Sequence, residues 1–258
     1  MKFGMPAMIE YNSIEENVKL AKSLGLSFVE LNLDLPYCTL DNELKIFSKN
    51  YNIEFTVHLS EKFDVGELDN DIREAYLKKI ETIIETGSKL NIKKYTLHLD
   101  PGIHFSLPDK KIFIYEKYLN EYKESLKKSC VFLNELAEKF DVEIMFENLK
   151  LPNYLIEGFK IVSTFNNLFF TLDMGHDLKN NSKAEEFFLN YKNKINHVHM
   201  HDFNGKSDHI ALGTGIMNVE EKIALIKKIN VYAVIEVKKE KELVESVNYL
   251  KNNKYPPA

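Results

Sequence analysis

Four of the eight histidines, His197, His199, His201 and His209, fall within fourteen consecutive positions inside the stretch NHVHMHDFNGKSDHIALGTG. Imidazoles at i, i+2 and i+4 share one face of an extended strand, yet i to i+4 spans roughly 13 Å, so one cation cannot take all three. The stretch belongs to a wider regularity. Short apolar runs along the chain end in ionisable side chains: Glu30, His58, His98 with Asp100, Glu147, Asp173, His199 with His201, and Glu236. Burying such groups is costly unless they are paired, hydrogen-bonded or bound to metal. Any one alone reads equally well as a satisfied core histidine or a structural ion pair; seven successive runs ending this way point to a metal site. Carboxylates and imidazole without thiolate suit a hard or borderline divalent cation, Mn2+, Mg2+, Co2+ or Zn2+, and the residue types do not choose among them. Cys38 and Cys130 lie far apart and form no CxxC pair, and HExxH does not occur, so zinc-finger and zincin spacings are excluded.

These side chains need a scaffold that brings distant segments together. Eight β-rich runs recur: KFGMPAM, SFVELNL, EFTVHLS, KYTLHLD, VEIMFENL, LFFTLDMG, NHVHMHD and VYAVIEV. Between them the pattern turns helical, as from Ser13 to Leu24, where Ile14, Val18, Ala21 and Leu24 share a face and Gly25 supplies the stop. Ser13 with Glu16, Ser182 with Glu185, and Asn218 with Glu221 read as helix-start capping pairs. Eight alternating units without a Pro- or Gly-rich linker predict an α/β fold, a single (β/α)8 TIM barrel domain over residues 1–258. Its site would lie at the C-terminal mouth of the strands, and a doubly wound open sheet is the alternative. The long segment from Pro101 to Asp141 should hold a loop over the mouth and a helix, with Phe105, Phe113, Tyr115, Tyr118 and Tyr122 mostly packing. No repeat, G-x-G-x-x-G or P-loop supports nucleotide binding.

The net charge of −5 comes from interspersed lysines and carboxylates, and the only arginine is Arg73. No basic stripe marks a nucleic-acid surface. The scarcity of arginine argues against tight DNA or sugar-phosphate clamping, although lysines and helix N-termini can substitute. No apolar stretch approaches a membrane span or a secretory signal, and the sparse cysteines suit a reducing compartment, so a cytoplasmic location is expected. Alternating charge on the helix exteriors neither demands nor excludes a homo-oligomer.

The chain resembles the xylose isomerase-like TIM barrels, a superfamily of sugar isomerases and epimerases together with metal-dependent apurinic endonucleases. The resemblance is carried across essentially the whole chain by TVHLSEKFDV followed by DIREAYLKKIETIIETGSKL, and by HLDPG, MFENL, TLDMGH, HVHMHDFNGKSDHIALGTG and VIEV, in this order and spacing. It implies that Glu147, Asp173, His199 and Glu236 ligate the metal, with His197 deeper in the barrel and His201-Asp202 at the rim. It implies further that Glu147 and Glu236 face each other across the substrate as acid and base, moving a proton through a metal-stabilised enediolate of a ketose or keto-polyol. His176, in D-x-x-H, would contact a substrate hydroxyl or a second metal. His58 and His98 would line the substrate pocket, with His209 and Lys206 on the loop after strand seven. The expected activity is thus a divalent-metal-dependent sugar isomerase or epimerase. The endonuclease branch, a DNA-repair activity, is similar but departs at two places: Asp100 stands where its pattern has His, and Ser207 where it has Asp, with Asp208 adjacent. A barrel that binds sugar or metal without turnover is a third reading, opposed by the complete acid and base pair.

Overall fold

Side chains of period two divide an inside from an outside. In the computed structural model, which describes residues 1–181 and 183–255, the eight runs form β1 (Lys2–Pro6), β2 (Phe28–Asn32), β3 (Glu54–His58), β4 (Lys94–His98), β5 (Glu143–Glu147), β6 (Leu168–Asp173), β7 (Ile195–Met200) and β8 (Tyr232–Ile235). They pair in parallel and close in the order β1-β8-β7-β6-β5-β4-β3-β2, so the expected barrel forms rather than the open sheet. The connecting helices are α1 (Ile14–Leu24), α2 (Glu43–Tyr51), α3 (Asn70–Ser88), α4 (Ile114–Lys117), α5 (Leu119–Phe140), α6 (Asn153–Ser163), α7 (Met174–Lys179), α8 (Lys183–Leu189), α9 (Val219–Ile229) and α10 (Glu240–Asn252). Among the described residues no helix is long and apolar enough to cross a membrane.

Phe28, Glu30 and Asn32 of β2 pair with Glu54, Thr56 and His58 of β3; Lys94, Thr96 and His98 of β4 pair with Glu143, Met145 and Glu147 of β5. These residues face the barrel interior, while Val29, Leu31, Val57, Leu97, Ile144 and Phe146 between them join the core under the helices. The interior floor is apolar: Phe28 packs beside Tyr232 at 5.1 Å between ring centroids, in space left by Gly4, where a Cβ would lie 2.5 Å from the Phe28 ring. Ion pairs of Lys2 with Glu54 and Lys94 with Glu143 close the strand N-termini below it. Above the floor the interior is polar.

One irregularity sets the level of the mouth. Phe170 pairs with Ile195, but Thr171 pairs with His197 and Asp173 with His199, so Asn196 is bulged out of register. Without that extra residue Asp173 would stand opposite Val198, and the histidines of β7 would face the helices.

The helix ends follow the expected chemistry. Ser13 Oγ accepts from the Glu16 N–H at 3.3 Å while Glu16 Oε2 accepts from Ser13 Oγ at 2.8 Å, and Gly25 ends α1 at φ 78°. Asn218 caps α9 through the Glu221 N–H at 3.3 Å. Ser182 lies outside the described residues; the first turn of α8 is held by Asp177, which accepts from Ala184 at 2.6 Å and Glu185 at 3.1 Å. The segment after β4 folds as a small antiparallel hairpin, His104–Ser106 against Lys111–Phe113, followed by α4 and α5. Tyr115 and Tyr122 stack at 4.5 Å in the core, whereas Phe105 and Tyr118 are exposed rather than packed.

Asp202, expected at the rim, is fully buried with His201. The reason is the loop that follows β7. Asp202 Oδ1 accepts from the N–H groups of Phe203 at 2.8 Å and Met217 at 2.9 Å, and Oδ2 accepts from Gly213 at 3.0 Å and Gly215 at 2.9 Å. A single carboxylate thereby folds the loop that carries His209, and any side chain at Gly215 would run into it, a Cβ lying 2.3 Å from Oδ1. Replacing Asp202 by Ala orphans four backbone donors, each worth about 1–3 kcal/mol when buried. Asp202→Ala is expected to lose about 3–5 kcal/mol in chemical denaturation. Asp202→Asn, whose amide keeps only one accepting oxygen, should lose an intermediate amount; equal stability of all three proteins would refute this role.

Candidate active site at the barrel mouth

Register delivers the strand ends to one level. His98 pairs with Glu147 and Asp173 with His199, while Glu236 sits one residue past β8 with its N–H donating to the Met200 carbonyl at 2.8 Å. Glu147, Asp173, His199 and Glu236 each present a donor atom, all within 4.8 Å of one another. On His199, Nδ1 lies 3.0 Å from Glu147 Oε1 and 3.3 Å from Glu236 Oε2, and Nε2 lies 2.9 Å from Glu30 Oε1. Glu30 is held in turn by Thr56 Oγ1 at 3.0 Å and His197 Nε2 at 2.9 Å. Two buried carboxylate oxygens in the group, Asp173 Oδ2 and Glu236 Oε2, have no hydrogen-bond partner among the described residues.

This donor set fits a divalent cation. It is rich in oxygen, contains one imidazole, and leaves two oxygens unpartnered. Glu30 lies behind the ring at ion-pair distance from Nε2, which itself makes no hydrogen bond among the described residues, and a cation among Glu147, Asp173 and Glu236 would meet Nδ1. Sequence reasoning noted Glu30 at a strand end and assigned it no part; its signal was only that a carboxylate inside a buried strand needs partners.

Within the protein's own charges, His199 is the compensating one. Burial opposes protonation of its ring, but Glu147, Glu30 and Glu236 outweigh burial and hold its pKa well above the usual imidazole range. Burial likewise pushes Glu147, Glu236 and Glu30 up, and His199, with further help from His98, His209 and His197 respectively, holds all three well below the carboxylate range.

Besides the group of Glu30, His197 and His199 beneath it, two further donor groups adjoin the first. His58 donates from Nδ1 to the Leu59 carbonyl at 2.8 Å and turns Nε2 toward Glu147 Oε2 at 3.2 Å; His98 Nε2 is 3.6 Å from the same oxygen. Burial lowers the His58 pKa, but Glu147 outweighs it and raises it to about 9, while burial keeps His98 below its usual value. His58, His98 and Glu147 thus form a second group, and His176, His201 and His209 a third. In the third, His201 Nδ1 accepts from the His209 N–H at 2.9 Å, and the two rings stack at 3.8 Å. His176 Nδ1 is 4.0 Å from Asp208 Oδ2, so it is Asp208, beside Ser207, that turns toward this group.

A cavity of 310 Å3 opens over these groups, lined by Glu30, His58, His98, His176, His209 and Glu236. Asp100 lines it too, with Oδ1 accepting from the Gly102 N–H at 2.6 Å, so both His98 and Asp100 reach the mouth. Lys206 does not. It is exposed in the loop, where Asn204 Oδ1 accepts from its N–H at 3.0 Å, and the lysine at the cavity is Lys238, two residues past Glu236 on the same face. Sequence reasoning also missed two positioning residues. Asn148 clamps β6 by accepting from the Asp173 N–H and donating to the Asp173 carbonyl, both at 3.0 Å. Gly175 leaves room for His201, since a Cβ there would lie 2.2 Å from the ring.

Residues 18–253 match the family of xylose isomerase-like TIM barrels. The chain belongs to that family. This xylose isomerase-like barrel is 32% identical over 231 residues to an uncharacterized protein of Methanocaldococcus jannaschii, a match covering 87% of this chain and 83% of that one. Among solved structures it superimposes on a D-tagatose 3-epimerase-like protein with a TM-score of 0.80 at 23% identity, over 98% of this chain and 96% of the other. It also superimposes on the IolI protein with a bound zinc atom, with a TM-score of 0.75 at 17% identity over 100% of both chains.

A cation held by this donor set would compete with the proton for Nδ1 of His199. Because its pKa is raised, cation binding must expel a proton, and affinity must rise with pH until the ring deprotonates by itself. Calorimetric titration of chelator-treated protein with Mn2+ or Zn2+ in buffers of different ionisation enthalpy is expected to show about one proton released per cation. Affinity should climb with pH through and beyond the ordinary imidazole pKa of about 6.5; a pH-independent affinity would refute the competition.

Proposed function

We propose that the protein is a divalent-metal-dependent sugar isomerase or epimerase acting on a ketose or keto-polyol. The observation that carries this reading is that Glu147 and Glu236, from strands three apart around the barrel, approach the same His199 nitrogen at 3.0 and 3.3 Å beside the mouth cavity. A cation held by Glu147, Asp173, His199 and Glu236 supplies Lewis-acid stabilisation of the negative charge that develops when a proton next to a carbonyl is removed. The remaining chemistry belongs to the chain. One of the two glutamates accepts the proton from carbon and the other returns one, the positive charge beside them keeping each ionised until the substrate proton is transferred. His58, His98, His176 and His209 line the cavity as neutral or charged donors to substrate hydroxyls. At 310 Å3 the cavity is near the lower end of small-molecule sites, which run about 300–1,000 Å3. That size suits one short polyol. The fold shared with the epimerase-like and zinc-bound barrels supports the class of chemistry, by analogy of fold.

A second reading is favoured by one observation, the several adjoining donor groups, an arrangement suited to metal-assisted phosphodiester hydrolysis as in the apurinic endonuclease branch. Against it stand the net charge of −5 and the placement of Arg73, which is buried and committed to the Glu67 carbonyl and Ser125.

Metal-loaded protein incubated with a ketose panel in D2O is expected to take deuterium into the position next to the carbonyl and to stop on addition of chelator. Glu147→Gln and Glu236→Gln should each lower that exchange by about 10²–10⁴-fold with the fold retained. Near wild-type exchange in either variant removes its assigned role. Cleavage of an abasic-site oligonucleotide with many turnovers per enzyme would overturn the isomerase reading in favour of the nuclease.

A further inference from the structure

A second cavity, of 660 Å3, lies beside the mouth and shares the wall residue Leu149 with it. Four lysines line it, Lys111, Lys150, Lys179 and Lys183, and no carboxylate does, in a chain where acidic residues outnumber basic ones by 39 to 34. Lys179 is paired with Asp208 at 2.7 Å. Among the described residues Lys111, Lys150 and Lys183 have no carboxylate within 4.0 Å, and it is their gathering around one concavity without a carboxylate in its wall that sets them apart from the other unpaired lysines. Uncompensated cations held around one concavity repel each other, and an anion relieves that repulsion.

The wall adds a second source of positive potential. Pro152 and Tyr154, at the start of the eleven-residue helix α6, line the same cavity, and no side chain caps that end of the helix. An uncapped N-terminus offers free N–H groups and the positive end of the helix dipole to an oxyanion. Phe113 and Tyr154, whose rings lie 6.0 Å apart, give the cavity an apolar side against which carbon can rest. Asn180 ties the wall to the catalytic mouth, its Nδ2 donating to the Leu149 carbonyl at 3.1 Å and to the His176 carbonyl at 2.6 Å.

We infer that this cavity binds a phosphate or comparable oxyanion carried as a substituent on the substrate, so that the sugar reacts in the mouth while its anionic end is held beyond Leu149. The word substrate here rests on the sugar isomerase or epimerase reading; the anion site itself does not. With Arg73 buried elsewhere, the lysines and the α6 terminus do what an arginine fork does in other proteins. The cations ring one cavity rather than forming a stripe, which favours a small anionic ligand over a nucleic-acid backbone.

The test uses full-length protein titrated with inorganic phosphate, in chelator and again with Mn2+. Saturable binding is expected in both, weakened about tenfold or more in the triple variant Lys111→Ala/Lys150→Ala/Lys183→Ala. All three side chains are exposed, so the variant should fold, which circular dichroism checks. Glu147→Gln should bind phosphate as the wild type does. In D2O, ketose phosphates should exchange with a higher kcat/KM than the matching free ketoses, and the triple variant should lose that preference. Free phosphate as the natural ligand would appear as binding without any such preference, and would overturn the substituent. Phosphate binding that needs Mn2+, or that survives the lysine substitutions, or lysine-dependent binding of an oligonucleotide far tighter than that of phosphate, would overturn the inference. Lysine-dependent phosphate binding with no exchange of any ketose or ketose phosphate would leave the anion site standing and sink the reaction instead.

Discussion

The mouth of this barrel is governed by like-charge repulsion. Glu30, Glu147 and Glu236 each lie within 3.3 Å of the His199 ring, and Asp173 completes the group with an unpartnered oxygen. Two unit charges about 4 Å apart repel by roughly 4 kcal/mol at an effective dielectric of 20. Four carboxylates make several such pairs, and their sum is comparable with the whole net stability of a domain, about 5–15 kcal/mol. The imidazolium of His199, with that of His58 beside Glu147, offsets this repulsion far enough to hold Glu30, Glu147 and Glu236 below the usual carboxylate range. The same arithmetic would favour a divalent cation over a proton, because a cation at Nδ1 would bring one more charge than the proton it displaced.

Holding that cluster together is what the neighbouring structure does. The bulge at Asn196 brings His199 level with Asp173, Asn148 pins the end of β6 from both sides, and Gly175 lets His201 close over it. Asp202 then folds the loop that lays His209 against His201. Asn148 and Asp202 act through backbone N–H or C=O groups, so the ionisable side chains keep their own acceptors for one another and for ligands. Precision at the site therefore comes from rigid strand ends and capped loops rather than from further charges.

Most of the barrel could be read from the sequence because its signals are local. A β-rich run of five or six residues, a helix start at Ser13 or Asn218 and a stop at Gly25 are each decided within a few positions, and all recur in the structure. The convergence of Glu147, Asp173, His199 and Glu236 was legible too, since every strand end of a closed barrel points to one mouth. Nonlocal facts were not. The bulge depends on which strand lies beside β7, and Asp202 looks like a rim residue until its four backbone donors, as far away as Met217, are counted. Lys206 and Lys238 are both lysines of the mouth loops by sequence; only the path of the loop turns the first to solvent and the second to the cavity.

The adjoining donor groups admit more than one chemistry, and the shape above them separates the choices. Phosphodiester hydrolysis asks a site to grip a long polyanion and aim a water at phosphorus, whereas proton transfer at carbon asks for two carboxylates flanking one short substrate. Here the deeper groups share Glu147, so a proton or cation at the His58 side changes the base that Glu147 can be. The cavity over them is small, and an adjoining cavity that shares Leu149 with it is lined by four lysines. A ligand shaped to both spaces has a reactive carbon at one end and a compact anion at the other. In such a ligand, binding energy gathered at the remote end can be used to hold the carbon between Glu147 and Glu236, which is where rate, rather than affinity alone, is gained.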